Sequence, residues 1–99
     1  MVKHIVLFRL KEDLDVEARS RVADDFKVAI ESLPAKIDFI RHIEVGININ
    51  GDESFDVALY SEFDTLDDVR AYSRHPDHIA ASGIIKPYTE ARACVDYEF

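Results

Sequence analysis

Residues 2–10, Val2-Lys3-His4-Ile5-Val6-Leu7-Phe8-Arg9-Leu10, are rich in β-branched and aromatic side chains and hold neither glycine nor proline, so they read as a strand. Apolar residues fall on both parities: Val2, Val6, Phe8 and Leu10 on one face, Ile5 and Leu7 on the other. Successive side chains of a strand point to opposite faces, so a strand apolar on both needs two covers. What supplies them decides the architecture.

The first cover lies downstream. Residues 14–33 read as a helix, with Val22, Phe26, Ile30 and Leu33 recurring every three or four positions and charged residues on the other faces. Asp13 or Asp15 caps it, Glu17 suits its first turn, and Pro34 ends it. Residues 39–49 alternate, Phe39, Ile43, Val45, Ile47 and Ile49 against His42, Glu44 and Asn48, as in a half-buried strand. Asn50-Gly51 signals a turn, and the polar run through Ser54 makes it a longer loop. Residues 55–63 return as a strand carrying Phe55, Val57, Leu59 and Phe63 on one parity.

Thr65, followed by Asp67 and Asp68, starts a second helix that runs to about Arg74. Pro76 opens a further helical piece with Ile79, Ala80 and Ile84. Residues 90–99 alternate again through Ala91, Ala93, Val95, Tyr97 and Phe99. The order is β-α-β-β-α-β, an α+β, ferredoxin-like arrangement of one four-stranded antiparallel sheet with the helices on one face. Right-handed crossovers put the first strand in the middle, beside the third and fourth. The helices cover one of its faces. A second copy of the chain, docked on the open sheet face, is the expected cover for the other.

Length and charge narrow the function. Ninety-nine residues fit a single domain, residues 1–99, and 47% apolar content supports a packed core. Twelve basic against 20 acidic side chains, a net charge of -8, exclude a nucleic-acid partner, which needs a cationic cluster. The acids concentrated between Asp52 and Asp77 read as a solvated face or, secondarily, a cation site. Cys94 is the only cysteine, which rules out an internal disulfide; within a strand it is expected to be a buried, inert thiol. No stretch is apolar enough for a signal peptide or a membrane span, so no membrane partner is expected and the cytoplasm is the default compartment.

The chemistry-bearing stretch is Tyr72-Ser73-Arg74-His75-Pro76-Asp77-His78. Tyr72, His75 and His78 are three residues apart, a spacing that gathers them on one side of a helix. An imidazole titrates near neutrality and a phenol can donate to a developing oxyanion, so such a pair can move a proton beside a carbonyl. The competing reading makes His75-Pro76 a helix corner whose imidazole caps backbone groups, with Tyr72 in the core. His4, Asp56 and Asp96 interrupt apolar strands, and neighbouring strands could bring them together; a His–Asp pair would orient a tautomer or serve structure alone. Arg92 is expected to pair with an acid across the sheet. No phosphate loop or nucleophile motif is present.

Val2-Lys3-His4-Ile5-Val6, then Tyr72-x-x-His75-Pro76-x-His78, then Val95-Asp96-Tyr97 together resemble the stress-responsive A/B-barrel (Dabb) family over essentially the whole chain. The resemblance implies a homodimer whose two sheets form a dimeric α/β barrel. Its functional implication is narrower, because most members have no established activity. A plant polyketide cyclase of the family closes a linear polyketide by aldol condensation without a cofactor. Its catalytic tyrosine and histidine match Tyr72 and His78, and its pocket has counterparts of His4 and Asp96. Asp56 stands where that enzyme has a pocket histidine, a departure that separates the substrates.

Two readings follow. One is a cofactor-independent enzyme acting on a small carbonyl or aromatic compound, with Tyr72 and His78 catalytic, His4, Asp56, His75 and Asp96 binding substrate, and no metal. The other is a non-catalytic homodimeric stress or ligand-binding protein.

Overall fold

The computed structural model describes residues 1–99, in the order β1 (Val2–Leu10), α1 (Val16–Glu31), β2 (His42–Ile47), β3 (Val57–Phe63), α2 (Leu66–Arg74), α3 (Pro76–Ile85) and β4 (Thr89–Glu98). Short 3₁₀ turns at Leu33–Ala35 and Lys86–Tyr88, each opened by a proline, close α1 and α3. The sheet is antiparallel throughout in the order β2-β3-β1-β4, so β1 lies between β3 and β4 as its double-sided pattern requires. The fold is ferredoxin-like α+β.

The local signals act as their chemistry dictates. Of the two candidate caps, Asp15 serves α1, its carboxylate accepting the Ala18 N–H at 2.8 Å. Thr65 caps α2 by accepting the Asp68 N–H at 3.1 Å. The second strand is shorter than its alternation suggests, because Ile49 lies fully exposed in the loop beyond it. That loop is held by Asn48 and Asn50, whose side-chain oxygens accept N–H groups two residues on.

One core joins the helices to the sheet. Val6, Leu59 and Phe63 of the sheet meet Phe26 and Ile30 of α1, Tyr72 of α2 and Ile85 of α3, all at most 2% exposed. The opposite face, with Ile5, Leu7 and Tyr60 in the middle, has no cover within the chain. On it Val95 and Tyr97 of the edge strand β4 keep about half their surface in water, at 52% and 44%. No helix is long and apolar enough to cross a membrane.

Candidate active site

The corner between α2 and α3 builds one wall. Proline disfavours helical geometry in the residue before it, and His75 is extended at ψ 134°. Its N–H donates to the Tyr72 carbonyl at 3.1 Å, and its Nδ1 accepts the Asp77 N–H at 3.1 Å, making it the N-cap of α3. His75 therefore serves the corner and does not line the adjoining cavity. The turn brings the rings of Tyr72 and His78 to 4.3 Å between centroids.

His78 keeps one ring nitrogen free of backbone partners. Its Nδ1 lies 3.1 Å from the Ser73 carbonyl, which can only accept, so Nδ1 carries the proton. The Nε2 lone pair then faces the Ser82 hydroxyl at 3.3 Å. Burial pushes the His78 pKa down, outweighing the opposing hydrogen bond to Ser73, with the nearby positive charge of Arg92 adding to the depression. The neutral form dominates at pH 7.

His4 and Asp96 are register partners on β1 and β4, and His4 Nδ1 lies 2.5 Å from Asp96 Oδ1. Donation to the carboxylate fixes the Nδ1–H tautomer in the neutral ring and leaves Nε2 free. His4 is buried at 6% exposure, and the Ser61 hydroxyl donates to its carbonyl at 3.0 Å. Tyr72 is fully buried between Phe63, 5.1 Å away, and His78; its hydroxyl has no hydrogen-bond partner, and burial pushes its pKa well up.

A cavity of about 300 Å³ opens under α3. Val6, Phe8, Phe26, Leu59 and Ile85 form its apolar floor, and His4, His78, Ser73, Ser82, Thr89, Lys86 and Arg92 its polar margin. His4, Ser73 and Arg92 also line a larger open groove of about 1100 Å³ between α2 and β4. Both imidazoles thus face one cavity whose mouth continues into the groove. Ser73, Ser82, Lys86 and Thr89 escaped the sequence reading. For Ser82 a signal existed: it stands one helical turn beyond His78.

Three expectations are corrected. Asp56 does not join His4 and Asp96: it precedes β3 at the far end of the sheet, where its carboxylate accepts the Leu10 N–H at 2.7 Å and lies 3.4 Å from Arg19. It replaces a backbone partner for Leu10 just past the end of the β1–β3 pairing at Phe8 and Val57. Arg92 forms no ion pair, because its neighbours across β1 on that face are apolar; Glu90, two residues away, is bound by Arg9 at 3.1 Å. Cys94 is exposed, since β4 is an edge strand that runs beyond the cover of the helices. Partial desolvation of its sulfur and then the Asp96 charge hold the thiol pKa up, which keeps it a poor nucleophile.

One cluster has metal-ligand chemistry: His4 Nδ1, Cys94 Sγ and an Asp96 carboxylate oxygen all lie within 4.8 Å of one another. His75 and His78 spend their Nδ1 atoms on backbone groups instead.

Residues 2–99 match the profile of the Stress responsive A/B Barrel Domain. A solved dimeric protein of unknown function with a ferredoxin-like fold, from Bacteroides fragilis, is 59% identical with a TM-score of 0.97, covering 99% of this chain and 95% of that one. A stress-response A/B barrel domain-containing protein of Arabidopsis thaliana is 27% identical over 80% of this chain, which spans only 29% of that protein's length. The hydroxynitrile lyase of Passiflora edulis shares the fold at a TM-score of 0.72 and 19% identity, over 97% of this chain and 90% of its own.

Proposed function

The chain belongs to the stress responsive A/B barrel domain family, and from that premise we propose a homodimeric, cofactor-independent enzyme that moves a proton on a small carbonyl compound. One observation carries this reading: the imidazoles of His78 and His4 line the same cavity, each with its tautomer set by a partner on Nδ1. His78 Nε2 takes a proton from the carbon beside the carbonyl. The C–H electron pair moves into an enolate, whose oxygen accepts a hydrogen bond from a donor at the cavity margin. Protonated His78 then returns the proton, or the enolate carbon attacks a second carbonyl of the same molecule, as in a polyketide cyclase. This chemistry needs a placed base and a donor. The dimeric relative and the apolar residues on the open sheet face support pairing through that face.

A second reading, a ligand-binding dimer without catalysis, is favoured by the enclosed Tyr72 hydroxyl, which does not line the cavity. Exchange of α-hydrogens for deuterium, followed by proton NMR on a panel of small ketones and β-keto compounds in D₂O, separates the two. Protein-dependent exchange that disappears in His78→Ala, with circular dichroism and dimer mass unchanged, is expected. Exchange at the wild-type rate in that variant would sink the assignment of His78. Ligand-induced shifts at the cavity with no exchange on any compound would favour the binding protein.

A further inference from the structure

Resting on the reading of this cavity as a ligand site, we infer that its ligand is a small anion, a carboxylate joined to an apolar body. The chain carries 20 acidic and 12 basic residues, yet the cavity lining contains Lys86 and Arg92 and no Asp or Glu. Arg9, Arg19, Lys27, Arg41 and Arg70 each hold a carboxylate within 3.4 Å, whereas Arg74, which lines the adjoining groove, is unpaired and adds to its positive charge. Neither Lys86 nor Arg92 has such a partner. Asp96, which faces the groove, is engaged by His4.

Position adds to charge. Arg92 stands opposite Phe8 in the β1–β4 register, at the junction of cavity and groove that it shares with His4 and Ser73. A guanidinium there can meet a carboxylate with two parallel N–H donors, while Lys86 contributes a mobile charge from the end of α3. The aromatic and aliphatic floor behind them accepts the apolar body. At about 300 Å³ the cavity lies at the small end of the ligand-pocket range, which suits a single ring or a short branched chain. Both cations are solvent-accessible, so the attraction is moderate and screened by salt.

The test compares hydrocinnamate with its neutral amide, and hexanoate with hexanamide, by amide-shift titration of the full chain. Each acid is expected to bind about tenfold more tightly than its amide, with saturable shifts at His4, Ser73 and His78, and the preference should shrink as salt is raised. In the double variant Arg92→Gln, Lys86→Gln the preference should vanish while the amides bind as before; Arg92→Lys should keep part of it. Equal binding of acid and amide by the wild type overturns the anion assignment and leaves the cavity as a ligand site. A preference that survives the double variant also overturns it. Binding of none of the four probes at millimolar concentration overturns both the ligand-site reading and the inference built on it.

Discussion

His4 and Asp96, 92 residues apart in the chain, meet through Nδ1 and Oδ1 at 2.5 Å because β1 and β4 pair side by side in one register. The imidazole is buried while the carboxylate keeps about a third of its side chain in water. The pair orients a ring whose free Nε2 belongs to a cavity-lining residue. Asp96→Ala should cost only about 1–3 kcal/mol, since it leaves the buried His4 Nδ1–H without its acceptor while the carboxylate it removes is part-exposed. It should nevertheless convert the His4 ring from one tautomer to a mixture, read directly from imidazole nitrogen shifts. An unchanged tautomer would mean that packing alone sets the ring.

His78 makes stability depend on pH. Burial lowers its pKa below 6.5, the ordinary value. Above about pH 6.5 the ring is neutral in both folded and unfolded chains and contributes no difference. Below it the unfolded chain takes up a proton that folded His78 resists, so stability falls with pH until the lowered folded value is passed. Urea denaturation at about pH 7.5 and 5.5 should show a smaller acid loss in His78→Gln than in the wild type.

Tyr72 offers a contrast between ring and hydroxyl. Its ring packs against Phe63 and His78, and its hydroxyl is buried without a partner. Tyr72→Phe should therefore be neutral or stabilising by up to about 1 kcal/mol in chemical denaturation, because an unpaired buried hydroxyl is removed. Tyr72→Ala should cost about 3–5 kcal/mol through the cavity it leaves. Loss of turnover in the more stable Phe variant would assign the hydroxyl a part in the reaction.

Asp56 should behave as a structural residue. Removing its carboxylate strands the Leu10 N–H and frees Arg19, and Asp56→Ala is expected to cost about 1–2 kcal/mol. The nitrogen shifts of His4 and His78 should stay in place. Movement of either would show that the far end of the sheet communicates with the cavity.

The open face predicts the assembly. Val95 stands opposite Ile5 in the register, half-exposed in the single chain. Val95→Asp should convert the proposed dimer to monomer in sedimentation experiments and make the remaining stability independent of protein concentration. A dimer of undiminished strength would place the interface elsewhere.

Periodicity along the chain was enough to specify the elements, their order and the antiparallel sheet. Strand and helix periods are local, and caps such as Asp15 and Thr65 act within one turn of their own position. The apolar character of β1 on both parities also announces an uncovered face. The corner at His75-Pro76 was legible in the same way, because proline constrains its immediate predecessor. Which polar residues meet was not. Whether His4 finds Asp96 or Asp56 depends on strand register, which sets Ser61 opposite His4 on β3 and leaves Asp56 beyond the Phe8–Val57 end of that pairing. The unpaired state of Arg92 and the exposure of Cys94 likewise follow from how far two short helices reach over an edge strand, a property of packing that no local pattern encodes.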